Sequence, residues 1–86
     1  MKKNIIIRDE AGFHARPASS FAQKASDFES EIKIIKNERE ANGKSVMSLM
    51  SLGVTNGDEI TLKVEGSDSK KAFETLIDLI EREFNE

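Results

Sequence analysis

Apolar residues recur at helical spacing in two long stretches of this sequence of 86 residues. The first stretch follows Pro17 and predicts a helix that ends at about Asp27 or Phe28. The second predicts a C-terminal helix whose N-cap is Ser67 or Asp68. The predicted buried positions are Ala18, Phe21, Ala22, Ala25 and Phe28 in the first helix and Phe73, Leu76, Ile77, Ile80 and Phe84 in the last.

Four shorter stretches favour strands, and a short helix lies between the third and the fourth. The strands are predicted at residues 3–8, 30–36, 39–41 and 59–65. The last strand is the clearest, because Ile60, Leu62 and Val64 alternate with polar residues. The short helix is predicted from Val46 to about Leu52, with Gly53 as its C′ residue.

The order of these elements predicts the fold class. A sheet with one apolar face needs a cover, which the two long amphipathic helices provide. We therefore expect an α+β open-faced sandwich of βαββαβα order, in which a four-stranded sheet carries three helices on one face. The consecutive Ile5, Ile6 and Ile7 favour a strand but leave open which of its sides faces inward. The length favours a single domain over residues 1–86.

Composition and charge argue against several classes of function. The net charge of −3 disfavours a general nucleic-acid binder, and five Phe without Trp or Tyr offer little surface for base stacking. The absence of Cys excludes disulfides and thiolate metal sites, and a single His excludes a multi-histidine metal site. No apolar run approaches the roughly 18 residues of a membrane span. The N-terminal apolar run is too short for a signal peptide, so we expect a cytoplasmic protein.

The stretch Gly12-Phe13-His14-Ala15-Arg16-Pro17-Ala18 contains the only histidine and the only proline of the sequence. Since a helical pattern begins directly after it, His14 is predicted at a helix N-terminus, where proline is tolerated. The backbone N–H groups of Ala15 and Arg16 have no intrahelical acceptor there. Together with the helix dipole and the guanidinium of Arg16, they predict an anion-binding cup around the imidazole.

This arrangement suits the transfer of a phosphoryl group. A neutral imidazole is nucleophilic near pH 7, because its reference pKa is about 6.5. Attack on phosphorus gives a phosphohistidine, whose oxygens two amides and the forked guanidinium of Arg16 can bind. We expect the dipole and Arg16 to lower the pKa of His14. The alternative from the residues alone is a histidine that only caps the helix or lies in a solvated loop.

Two stretches resemble the HPr family, the histidine-containing phosphocarriers of the bacterial phosphoenolpyruvate-dependent sugar phosphotransferase system. They are Gly-x-His-Ala-Arg-Pro-Ala around His14 and Gly-Lys-Ser-Val-Met-Ser-Leu-Met-Ser-Leu-Gly at residues 43–53. Length and element order also match, so the similarity covers essentially the whole chain. The resemblance implies that the sheet is antiparallel. It also implies that the pros nitrogen of His14 accepts the phosphoryl group, which Arg16 stabilises.

The resemblance implies the partners as well. Enzyme I would donate the phosphoryl group, and sugar-specific IIA proteins or domains would receive it. The chain would be a monomeric carrier rather than an enzyme, with no cofactor or metal of its own, and magnesium would be needed by the partner enzymes. Phe13 replaces the more usual aliphatic residue and Ser48 stands where glycine is frequent, and both departures could change partner preference.

Ser45 precedes the short helix and has two interpretations. From the residues, serine is a favoured N-cap, although Ser48 stands where a capping box would have Glu. The resemblance to HPr proteins of the Gram-positive type implies phosphorylation of Ser45 by an ATP-dependent HPr kinase/phosphorylase, and binding to a catabolite-control transcription regulator. Free amides and the helix dipole would stabilise that phosphate, which adds about −1.5 to −2 charges.

The short helix has too many apolar residues to bury on one side. Leu49 and Leu52 are the better core candidates. Val46, Met47 and Met50 are candidates for an exposed docking patch beside the histidine, because flexible methionines suit several partners. The alternative is that all five are core residues. In HPr the matching patch contacts partner proteins, so the resemblance favours docking.

Three classes of function remain. The first is the phosphoryl carrier, and the second is a regulatory module that acts mainly through Ser45-dependent binding, in carbon-catabolite or nitrogen-branch signalling. The third is a small-molecule or RNA-binding α/β domain, which fits the fold but lacks a basic or aromatic surface. His14 favours the carrier, because family members without that histidine act only as regulators.

Overall fold

The computed structural model describes residues 1–8 and 15–84 and, of Ala15, Glu83 and Phe84, the backbone alone. Its elements follow the predicted βαββαβα order. They are β1 (Lys2–Ile6), α1 (Ala15–Ala25), β2 (Glu31–Lys36), β3 (Arg39–Asn42), α2 (Val46–Ser51), β4 (Glu59–Glu65) and α3 (Ser69–Phe84).

The four strands form one antiparallel sheet in the order β1-β4-β2-β3. β4 lies between β1 and β2, so that Ile60 is opposite Ile5 of β1 and Leu62 is opposite Ile34 of β2. On the other side of β2, Ala41 of β3 is also opposite Ile34. The predicted α+β open-faced sandwich with a four-stranded antiparallel sheet is therefore confirmed.

The core lies between the sheet and the helices. The alternation predicted for β4 is confirmed, because its three apolar side chains are buried. The structure also resolves the ambiguity of the first strand. Ile5 and Ile7 are buried, whereas Ile6 is 41% exposed. Side chains alternate between the two faces of a strand, so Ile6 lies on the open face of the sheet.

Two helices differ in detail from their predictions. α1 ends at Ala25 rather than at Asp27 or Phe28, because the next bonds are of 3₁₀ type. The N–H of Asp27 donates to the carbonyl of Lys24 (3.1 Å), and that of Phe28 to the carbonyl of Ala25 (3.2 Å). The buried residues of α3 are Ala72, Leu76, Leu79 and Ile80, with Phe73 and Ile77 only partly buried. The predicted stripe is therefore rotated, and its member Phe84 has a side chain outside the described part.

Asp68 connects the start of α3 to the segment between α1 and β2. Its carbonyl accepts the N–H of Ala72 (3.0 Å), so Asp68 rather than Ser67 is the N-cap residue. Its carboxylate accepts the N–H groups of Glu29 (2.9 Å) and Ser30 (3.0 Å) and the hydroxyl of Ser30. These bonds, that of the Ser30 hydroxyl above all, hold the pKa of Asp68 below its usual value.

Candidate functional site

α1 begins at Ala15, directly after the predicted phosphoryl acceptor. His14 itself lies outside the described residues, with the rest of the segment 9–14. The predicted orientation of its imidazole and the predicted lowering of its pKa therefore stay predictions. The structure describes the N-terminal end of α1, which follows His14 in the sequence. The first backbone amides there have no intrahelical acceptor.

The first turn of α1 is suited to a negatively charged group. It contains no acidic residue, whereas Arg16 is exposed. Among the ion pairs of the described residues, none includes Arg16. Pro17 is buried at the third helical position, where a missing N–H costs no helical bond. The guanidinium of Arg16 and the positive end of the α1 dipole thus lie at the same end of the helix.

Ser45 caps α2, as the sequence predicts. Its backbone is extended (φ −121°, ψ 117°), and its Oγ accepts the N–H of Ser48 at 3.2 Å. Its carbonyl accepts the N–H of Leu49 at 3.0 Å. At the other end Gly53 has a positive φ of 63°, which fits its predicted C′ position. Ser45 is only partly buried.

The structure separates the apolar residues of α2 into two groups. Leu49 and Leu52 are buried in the core. Met47 and Met50 are 82% and 42% exposed, and Val46 is partly buried against the core. The alternative that all five are core residues is therefore wrong. The exposed methionines form, with Val46, the surface proposed for docking.

Three side-chain contacts that the sequence does not reveal tie α2 to the β2–β3 hairpin. Near the start of α2, the Oγ of Ser48 accepts the N–H of Asn42 (2.9 Å). Near its end, the Nη2 of Arg39 donates to the carbonyl of Ser51 (2.9 Å), and the Nζ of Lys36 to that of Gly53 (2.9 Å). Cationic side chains at a helix C-terminus also oppose the negative end of its dipole.

Lys36 makes a second contact that extends this connection. Its Nζ lies 2.9 Å from Oδ2 of Asp58, which also accepts the N–H of Thr55 (2.8 Å). The hydrogen bond from Lys36 is the main cause that lowers the pKa of Asp58. The turn before β4 is thereby joined to the end of α2, which is the helix that presents the methionines.

α1 and α2 pack against each other, so the two candidate sites lie on neighbouring helices. The shallow depression between them is lined by Ser19, Ala22 and Gln23 of α1, by Ser26 just after it, and by Lys44 and Val46. The start of α2 therefore lies beside the C-terminal half of α1. At a rise of about 1.5 Å per residue, Ala22 is roughly 10 Å along the helix axis from Ala15.

Two kinds of site are absent from the described residues. No group of three or more His, Cys, Asp or Glu side chains there could hold a metal ion. Within the same residues, no helix combines the length and the apolar character needed to cross a membrane.

Comparison with known proteins identifies the family. The family model described as the PTS HPr component phosphorylation site matches residues 1–82. An HPr-like protein Crh of Halalkalibacterium halodurans is 45% identical over 83 residues, which cover 96% of this chain and 99% of that protein. A phosphocarrier protein HPr of Neisseria meningitidis serogroup A is 42% identical over 86 residues, which cover 100% and 97%.

Solved structures agree with the fold. A crystal structure of HPr-C-His from Thermoanaerobacter tengcongensis has a TM-score of 0.92 at 44% identity and covers 100% of this chain and 97% of that chain. A crystal structure of an HPr dimer from the same organism has a TM-score of 0.78 at 46% identity and covers 95% and 94%. Because the family model and these relatives span nearly the whole chain, the protein belongs to the HPr family of phosphocarriers of the phosphotransferase system.

Proposed function

We propose that this chain carries a phosphoryl group on His14 from phosphorylated Enzyme I to sugar-specific IIA proteins or domains. The observation that carries the proposal is the position of α1, whose first residue directly follows that histidine. The match of the HPr family model to residues 1–82 supports the same function.

In the proposed reaction, the pros nitrogen of neutral His14 attacks the phosphorus of the group held by Enzyme I. The new N–P bond forms as the bond to the donor breaks, and the donor keeps that electron pair. Such transfers need positioning and charge stabilisation more than covalent help. The exposed guanidinium of Arg16 and the amides of Ala15 and Arg16 would supply both. Transfer to a IIA protein is the same displacement with His14 as the leaving group.

Incubation with Enzyme I, phosphoenolpyruvate and magnesium tests the proposal. The wild-type protein should gain one acid-labile phosphate, and the His14→Ala variant should gain none, because the sequence has no other histidine. Equal labelling of the two proteins would contradict the proposed acceptor.

Arg16→Ala tests the role of the guanidinium. We expect phosphoryl transfer to be about 10- to 100-fold slower, since hydrogen bonds to charged groups contribute about 1.5–3 kcal/mol and about 1.4 kcal/mol is a factor of ten in rate. Lys24→Ala is the matched control, because it removes the same charge from the last turn of the same helix. If the two variants transfer at the same rate, Arg16 has no special role.

We propose that Ser45 is a regulatory site for HPr kinase/phosphorylase. Its partly buried position at the start of α2, beside the exposed Met47, supports this assignment. A phosphate there adds about −1.5 to −2 charges. Val46, the residue after Ser45, lines the same depression as Ala22, which is roughly 10 Å along the axis of α1 from Ala15. Charges at such a separation interact at low salt, where the Debye length is about 30 Å at 0.01 M, so phosphorylation should slow acceptance at His14 electrostatically.

Ser45→Asp and Ser45→Asn separate charge from capping, because both residues are good N-caps and only one is charged. The Asp variant should accept the phosphoryl group more slowly than the Asn variant at low salt, and the difference should shrink at high salt. Equal rates at low salt would contradict the proposal that negative charge at residue 45 slows phosphoryl acceptance.

We propose that Val46, Met47 and Met50 form the docking patch for Enzyme I, the IIA proteins and the kinase. The exposure of the two methionines supports the patch. Met47→Lys should weaken these complexes while leaving the fold intact. Ile6→Lys is the control, because Ile6 is also an exposed apolar residue but lies on the open face of the sheet.

The second candidate function is that of a regulatory module, which binds a catabolite-control transcription regulator when Ser45 is phosphorylated. The 45% identity to an HPr-like protein Crh favours it. Binding of the Ser45-phosphorylated His14→Ala protein to such a regulator would support this function. Acid-labile phosphate on the cellular protein would support the carrier.

We further propose that the protein works in the cytoplasm as a monomer and needs no cofactor of its own, with magnesium required by its partner enzymes. Light scattering after size-exclusion chromatography tests the oligomeric state. A mass near 9.6 kDa supports the monomer.

A further inference from the structure

The orientation of α2 depends on its contacts, because a helix of six residues is not stable alone. Its buried leucines anchor it in the core, and three hydrogen bonds tie it to the β2–β3 hairpin. Two of these bonds, from Lys36 and Arg39, lie at the C-terminal end. Of these three side-chain bonds, only that between Ser48 and Asn42 lies at the end that carries Ser45.

Ser48 takes part in two bonds that connect β3 to the Ser45 hydroxyl. Its Oγ accepts the N–H of Asn42, the last residue of β3, at 2.9 Å. Its own N–H donates to the Oγ of Ser45 at 3.2 Å. Asn42 also contacts this corner directly, since its carbonyl accepts the N–H of Ser45 (3.1 Å) and its Oδ1 accepts that of Lys44 (2.9 Å).

We propose that Ser48 is a positioning residue that orients the Ser45 hydroxyl for phosphorylation. This inference rests on the regulatory role proposed for Ser45. In that reaction the Oγ of Ser45 attacks the γ-phosphorus of ATP, the bond from that phosphorus to the β,γ-bridging oxygen breaks, and ADP leaves. The hydroxyl proton passes to a base of the kinase.

The rate of such an in-line displacement depends on where the attacking oxygen lies. Ser48 bonds β3 through its side chain and donates its N–H to the Oγ of Ser45. A displacement of Ser48 therefore also moves the attacking oxygen. Without the Ser48 hydroxyl, the first turn of α2 loses its only side-chain bond to the hairpin among the described contacts. Ser48 is thus expected to affect kcat of the kinase reaction more than KM.

Purified HPr kinase/phosphorylase with ATP and magnesium tests this inference on wild type, Ser48→Ala, Ser48→Thr and Ser51→Ala. The Thr variant keeps a hydroxyl. Ser51 is the matched control, because its hydroxyl bonds the Ser48 carbonyl on the same helix and, among the described contacts, no group of the hairpin. We expect Ser48→Ala to lower kcat about fivefold, the factor of one typical hydrogen bond, with KM changed less than twofold. Ser48→Thr should restore kcat, and Ser51→Ala should leave it unchanged.

Amide hydrogen exchange gives a second readout. Exchange at residues 45 and 48 should be faster in Ser48→Ala than in Ser51→Ala. Equal kcat for wild type and Ser48→Ala, with Ser45 phosphorylated in both, would overturn the positioning role and leave the proposed regulation intact. A wild-type protein that gains no acid-stable phosphate on Ser45 would overturn the regulation and this inference with it.

Discussion

Replacement of Ser45 by alanine removes the acceptor for the N–H of Ser48 and leaves that amide to solvent. Loss of a serine N-cap costs about 0.5–2 kcal/mol. The bond here is long, at 3.2 Å, and the cap is only partly buried. We therefore expect a loss of about 1 kcal/mol, which corresponds to a decrease in Tm of about 4–8 °C for a domain of this size.

Urea unfolding followed by circular dichroism measures this change. Ser45→Asn and Ser45→Asp should stay close to wild type, because both side chains accept the same bond and Asp also favours the positive end of the helix dipole. Ser51→Ala removes a hydroxyl near the other end of α2 and should change the free energy of unfolding by less than about 0.5 kcal/mol.

An alanine variant as stable as the Asn variant would refute the capping argument. It would mean that the buried leucines of α2 hold its first turn without the cap. A fully folded Asp variant matters for function as well, since slower phosphoryl acceptance by it could then be assigned to charge rather than to unfolding.

Three further predictions concern the framework of the site. Leu49→Ala should lower the free energy of unfolding in urea by about 2–5 kcal/mol, whereas Met47→Ala should lower it by less than about 0.5 kcal/mol, because of these two only Leu49 is buried. Equal losses would contradict the placement of α2. Gly66→Ala should be strongly destabilising, since φ is 150° and the new Cβ would lie 2.6 Å from the Cα of Ser30; a Tm equal to wild type would refute this. The carboxylate of Asp68 has a lowered pKa, so it contributes stability above its unfolded pKa of about 3.9 and loses it as pH falls through the folded pKa. The free energy of unfolding, measured with urea between pH 2 and 7, should therefore fall less on acidification for Asp68→Asn than for wild type. Parallel pH profiles of the two proteins would contradict the stabilising role of the bonds to Ser30.

The elements of the fold were predictable where the signal is local. β4 was predicted with the bounds that the structure has, Glu59–Glu65, because strict alternation needs only neighbouring residues. The cap at Ser45 and the positive φ of Gly53 follow from the same kind of short-range chemistry. His14 was predicted as the phosphoryl acceptor from its motif, and it lies outside the described residues.

The framework around the site was not predictable in the same way. Ser48 stood out only as a departure from a family pattern, yet its hydroxyl bonds a strand that ends six residues earlier. The bonds from Lys36 and Arg39 join residues 17 and 12 positions apart, a separation that no local pattern encodes. The bonds from residues 29 and 30 to the Asp68 carboxylate likewise join positions 39 and 38 residues apart.

Local patterns along the chain were enough to predict the order and type of the elements, the fold class, and the histidine and serine that precede helices and suit phosphoryl chemistry. The folded arrangement was needed to show that Ile6 faces outward, that Met47 and Met50 are exposed while Leu49 is buried, and that α2 is tied to the β2–β3 hairpin. The reason is physical. Periodicity and capping depend on a few adjacent residues, whereas burial and cross-chain hydrogen bonds depend on which distant segments the folded chain brings together.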